Sequence, residues 1–297
     1  LYPAPWRARY GEELDALILE TNGGDRTPAK TYANVALSGA RERMRASGLV
    51  GDGIPPNERM RAGSLLVLSA WAMFVAAGLG VAKFSEHWQV AVTPRGNLPA
   101  GAFHALLIGA AAGSGFVLAG IALALPSLVA FLRDGGWPGI RRRVLIAVTI
   151  SLLSIAATIG LAGWAHGLTL GQRNGHDLGY SLAFLAWAFT ALCSLAAWAV
   201  TAVATARRLA LPTTVLRIEG WLSTGATVAM GAMTAATVSW WVALADSAPW
   251  ALSGGRPGAS GSAVPPQLVV EAALMLAATT LGALGSISAR RGSASLG

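Results

Sequence analysis

Polar and apolar positions change their spacing near residue 61. Before it they alternate with a helical period; after it, long apolar runs are separated by short polar connections. In the first part Trp6, Tyr10, Leu14 and Leu17 fall at i, i+4, i+8 and i+11, one stripe of a helix opened by Pro5 and faced on its other side by Glu12, Glu13, Asp15 and Glu20. Asn22-Gly23-Gly24-Asp25 stops that helix. Thr27 and Pro28 start a second one, with Tyr32, Val35, Ala36, Ala40 and Met44 as its stripe and Arg41, Arg43 and Arg45 near its end, where cations suit the negative pole of the helix dipole. The two helices are predicted to form a small hairpin. Either their stripes bury each other, or the pair docks a cytoplasmic partner; the options are compatible, because two short helices make a small core.

Six apolar runs follow, at 62–84, 101–125, 144–164, 179–204, 218–244 and 266–288. About 20 apolar residues in a helix cross a hydrocarbon core of ~30 Å. The pattern therefore predicts an all-α, polytopic bundle of six transmembrane helices over 61–291, preceded by the cytoplasmic two-helix segment 1–60 and followed by a cytoplasmic tail, 292–297. Gly109 and Gly113 form a GxxxG pair in the second run, suited to close helix contact within the chain or between copies in a homo-oligomer. Trp88, Trp164, Trp240, Trp241 and Trp250 are expected at one membrane boundary and Trp137 and Trp221 at the other, whereas Trp71, Trp187 and Trp198 lie deeper. Pro126 is expected to end the second span.

Composition agrees with this reading. Of 297 residues, 54% are hydrophobic and only 12% charged, against about 25% in soluble domains. The net charge of +8 is no nucleic-acid signal in itself, because its placement follows the connections. Arg41, Arg43, Arg45, Arg59 and Arg61 precede the first run; Arg133 and Arg141 to Arg143 lie between the second and third; Arg207, Arg208 and Arg217 between the fourth and fifth; Arg290 and Arg291 after the sixth. The opposite connections carry Arg95, Arg173 and Arg256, with Lys83 at a helix end. The positive-inside rule then places both termini in the cytoplasm. Residues 1–60 hold charged helical patterns rather than a secretory signal. The abundance of Ala, Gly and Arg suggests a GC-rich bacterial genome. A single cysteine, Cys193, allows neither a disulfide nor a cysteine metal site within one chain.

The N-terminal segment resembles that of actinobacterial membrane proteins with the pattern Tyr-Pro-x-x-Trp-Arg-x-Arg-Tyr-Gly-x-Glu, carried here by Tyr2, Pro3, Trp6, Arg7, Arg9, Tyr10, Gly11 and Glu13. It is similar to the helical modules called HAAS signalling domains. The resemblance covers about the first 50 residues and implies a regulatory or sensory role, with Trp6, Arg7, Arg9, Tyr10, Glu13 and Leu14 as the surface for a cytoplasmic regulatory protein. It supplies no reaction.

Ionisable residues at membrane depth are the candidates for chemistry, because desolvating them is costly. Lys83, Glu86 and His87 share a face at the end of the first run, with His104, His166 and Glu271 on the same predicted side. They form either an outward-facing ligand pocket or separate interfacial groups. Glu219, beside Arg217, is expected as an interfacial charge. The chain lacks HxxxH and HExxH spacings, a phosphate-binding loop and a nucleophile constellation, so no metal site, cofactor or enzymatic activity is expected. A transporter or channel component is the alternative to the sensory reading, and a membrane cofactor protein the third.

Overall fold

A computed structural model describes residues 2–21, 29–46, 54–84, 97–169, 172–173, 177–247 and 266–295. Its elements are α1 (Ala4–Thr21), α2 (Ala29–Ala46), α3 (Pro56–Phe84), α4 (Asn97–Phe131), a π-helical turn (Leu132–Gly136), α5 (Trp137–His166), α6 (Leu178–Ala206), α7 (Thr213–Ser247) and α8 (Pro266–Ala294). The described residues are all helix and connection, and each of the six apolar runs lies within a helix.

Five helical stretches are long and apolar enough to cross a membrane: Pro56–Gly78, Ala100–His166, Leu178–Ala206, Thr213–Asp246 and Leu268–Ala294. The second has 67 residues, about 100 Å of helix against a core of ~30 Å. It is interrupted at Gly135, whose φ of 80° and ψ of 20° are left-handed, a conformation glycine reaches without a Cβ clash. Arg133 and Asp134 stand in that turn. Pro126 lies inside α4 and does not end it.

Helix α3 packs along α8 and α7, α4 along α7, and α8 along α7. Helices α5 and α6 pair with each other and meet this group through the α3–α6 contact and the π turn. The core shows why. Val67, Ala70, Trp71, Phe74 and Ala77 form one buried stripe on α3, facing Met230, Met233, Trp240 and Leu244 of α7 and Leu268, Met275 and Ala278 of α8. Gly63 and Gly285 bring the α3 and α8 backbones together: a Cβ on Gly285 would lie 2.7 Å from the Gly63 carbonyl oxygen. Gly109 receives Met233 and Gly113 receives Trp71, so packing within one chain accounts for both glycines.

The tryptophans divide differently from the expected belts. Trp137, Trp164 and Trp221 are exposed, as boundary residues are, but Trp240 is fully buried and Trp241 packs on the core. The reason is helical phase, since Trp240 falls on the face of α7 that also carries Met233 and Leu244. Trp88 and Trp250 lie outside the described residues. In the α5–α6 pair, Trp198 donates through Nε1 to Ser151 Oγ at 2.9 Å, Ser151 bonds Ser194 at 2.8 Å, and Trp187 donates to Thr158 Oγ1 at 2.7 Å. Asp177 caps α6, its Oδ1 accepting from the Tyr180 backbone N–H at 3.0 Å. Asp177→Ala is expected to cost about 1 kcal/mol, read as a lower unfolding midpoint in micelles.

In the N-terminal segment, Tyr2 stacks on Trp6 with ring centroids 3.8 Å apart, and Arg9 lies over the Tyr10 ring. Leu17 and Tyr32, members of the two expected stripes, are exposed. Glu42 and Arg45 form an ion pair at 2.8 Å.

Candidate functional site

The residues expected to form an outward pocket are placed as follows. Lys83 lies in the last turn of α3, but its side chain, and Glu86 and His87 altogether, lie outside the described residues. His104 is exposed on α4, with Nδ1 2.7 Å from the Ala100 carbonyl oxygen of its own helix. Glu271 is half-buried on α8, and its Oε2 has no hydrogen-bond partner. Phe103 tilts against Trp240, and Leu268 packs in the cluster that contains Trp240, so His104 and Glu271 belong to the same end of the bundle. His166 ends α5 and is exposed. No hydrogen bond or ion pair joins His104, His166 and Glu271 to one another, and no cluster of three metal-ligating side chains occurs among the described residues.

The other end of the bundle gathers the arginines. Arg61 of α3 donates from Nη2 to the Leu209 carbonyl at 2.8 Å and from Nη1 to the Arg207 carbonyl at 3.4 Å, tying α3 to the α6–α7 connection. The Arg208 guanidinium lies over Gly139 at the start of α5. Arg290 of α8 stacks over Trp221 of α7, 4.0 Å from the ring centroid. Gly292 lies against Pro56 and Met60. The arginine-rich connections therefore share one end, the physical counterpart of the charge pattern in the sequence.

Directly beneath that end is a cavity of about 420 Å³ between α3, α4, α5, α6 and α7. Its walls are mainly apolar, with Leu65, Leu68, Phe116, Ile121, Leu125 and Val144 among them. Polar groups enter it at its arginine-rich end: Arg61 and Ser64 from α3, Glu219 from α7 and Thr205 from α6. The Arg61 Nε and Ser64 Oγ atoms are buried without hydrogen-bond partners. Glu219 is therefore not simply an interfacial charge beside Arg217. It is half-buried and lines the cavity together with Arg61, without forming an ion pair with it. Sequence spacing gave no sign of the cavity, because residues from five helices build it. The available signal was Glu219 itself, an acid placed seven residues into an apolar helix.

A chamber of this size, mostly hydrocarbon with a few convergent polar groups, has the usual make-up of a small-molecule site. Chemically it can hold an apolar body and orient a polar head between a cation and an anion. Comparison of the chain with protein-family models, curated proteins and solved structures finds no match.

Proposed function

We propose that this chain is a regulatory or sensory protein of a bacterial cytoplasmic membrane. It crosses six times with both termini inside, α4 and α5 being separate crossings joined at Gly135. Its cavity takes a ligand from the membrane, and its N-terminal helices dock a cytoplasmic regulatory protein through Trp6, Arg7, Arg9, Tyr10, Glu13 and Leu14. The observation that carries this reading is the position of α3. Its first turns supply Arg61, Ser64 and Leu65 to the cavity, and the same helix is the covalent continuation of the α2 segment. An occupant that shifts Arg61 acts on the helix that continues the N-terminal segment.

In the full chain, a photo-crosslinking residue at Leu17 or Tyr32, both exposed, is expected to trap one discrete cytoplasmic protein in cells, with the yield reduced by Trp6→Ala and Arg9→Glu. Absence of any such adduct from both positions would remove the docking role. Because the cavity holds Glu219 and Arg61 unpaired at its mouth, a small-solute transporter is the second reading. Solute flux in proteoliposomes that is lost on Glu219→Gln but kept in Glu271→Gln would favour it.

A further inference from the structure

The cavity at the arginine-rich end holds two opposite charges that do not pair. Arg61 enters from α3 and Glu219 from α7. Both line the same cavity, yet the described residues contain an ion pair between Arg45 and Glu42 and none between these two. Arg61 gives its two Nη groups to the carbonyls of Leu209 and Arg207, which leaves its Nε–H without a partner.

The shape of the cavity narrows the occupant. Helix α4 lines it from Phe116 to Leu128, about 18 Å of helix and a little more than half of a ~30 Å hydrocarbon core. That is the depth of one leaflet. Arg61, Thr205 and Glu219 stand at one end, Thr201 and Ser223 follow one turn deeper, and the wall beyond them is hydrocarbon except for Trp198, the polarity profile of a membrane lipid entering with its head at the arginine-rich end.

We infer that the cavity seats one acyl chain of a phospholipid with a primary-amine head group, its phosphodiester at Arg61 and its ammonium at Glu219, the cation and the anion that line the cavity. The head follows from the charges. A glycerol head group brings an anion to Arg61 but leaves Glu219 without a counter-charge. A choline head group brings a cation with no N–H to donate to a carboxylate, whereas an ammonium forms charge-assisted hydrogen bonds with it. The inference rests on the proposed function only in taking this cavity as a ligand site. Loss of the N-terminal crosslinks would remove the docking role and leave the lipid site untouched.

The test is native mass spectrometry of the full-length protein, titrated in neutral detergent with phosphatidylethanolamine, phosphatidylcholine and phosphatidylglycerol of identical chains. Phosphatidylethanolamine is expected to bind about tenfold more tightly than the other two, the effect of one charge-assisted hydrogen bond. Glu219→Gln brings it to the level of phosphatidylcholine, and Arg61→Gln weakens all three. Gly120→Phe is expected to block binding while the melting temperature is kept, because Gly120 lines the cavity and the nearest atom to a Cβ there, Leu222 Cδ1, is 4.0 Å away. Ala124→Leu, which narrows the same wall, serves if either of the other variants fails to fold. Equal binding of the three lipids, unchanged preference in Glu219→Gln, or full binding by a folded cavity-blocked variant would each overturn the assignment.

Discussion

Gly63→Ala is expected to destabilise the bundle by about 3 kcal/mol, the upper part of the range for inserting a methyl into a closed contact. The added Cβ would meet the Gly285 carbonyl oxygen and lie 2.7 Å from the Ala289 backbone nitrogen and 2.9 Å from its Cβ. Two of those neighbours are main chain, so relief requires α3 and α8 to move apart along their whole length. That contact is made by Gly63 on one side and Gly285 on the other, and Gly285→Ala is expected to behave alike, because its Cβ would lie 2.9 Å from Val67 Cγ2 as well as against the Gly63 carbonyl. Small residues at such crossings gain dispersion contacts that lipid cannot replace. The control is Gly160→Ala on α5, where nothing stands within 4 Å; the same methyl there is expected to be neutral or to stabilise by about 0.5 kcal/mol through helix propensity. Unfolding midpoints in micelles separate the two outcomes.

The second large effect is at Trp71. Its six-membered ring occupies the space a Cβ on Gly113 would take, its centroid is 6.1 Å from that of Phe74, and the residue is buried between α3 and α4. Trp71→Ala is expected to cost about 3–5 kcal/mol, as large-to-small changes of buried aromatics do. Gly113→Ala alone is also destabilising, because the methyl overlaps the ring. In the Trp71→Ala background the same methyl falls in the vacated space, and its cost is expected to vanish. A double-mutant cycle over the pair reads that coupling directly, and additive costs would show that the ring and the glycine do not meet.

Much of this architecture was legible in the residues. The apolar runs gave the helices, because twenty apolar residues between polar connections leave few alternatives to a buried or lipid-embedded helix. The arginines gave the common end, and Arg61, Arg208 and Arg290 show the contacts that make it. The stripe at Val67, Ala70, Trp71 and Phe74 was not readable as a face, because the residues around it are apolar as well, and neither were its partners on α7 and α8. Trp240 was misjudged as a boundary residue because position along a helix does not give its phase against neighbours. Pro126 was legible as the end of the apolar run but not as a residue inside the helix, which continues to Phe131. Part of the expected outer cluster, Glu86 and His87, lies outside the described residues, while His104, His166 and Glu271 are placed without direct contact among the described residues. The cavity was not legible at all. Its charged mouth joins Arg61 to Glu219 across 158 positions of sequence, and only packing brings such residues together.

The proposed docking of a cytoplasmic protein depends on the arginine-rich end facing the cytoplasm and on six crossings. In a Cys193→Ser background, single cysteines at Ser38, Thr93, Asp134, Gln172, Ala210, Ser260 and Ser293 can be challenged in intact cells with a membrane-impermeant maleimide. Labelling is expected at 93, 172 and 260 before lysis, and at 38, 134, 210 and 293 only after it. Labelling of Asp134→Cys from outside, or opposite accessibility of Asp134→Cys and Ala210→Cys, would contradict the shared cytoplasmic end and with it the six-crossing arrangement.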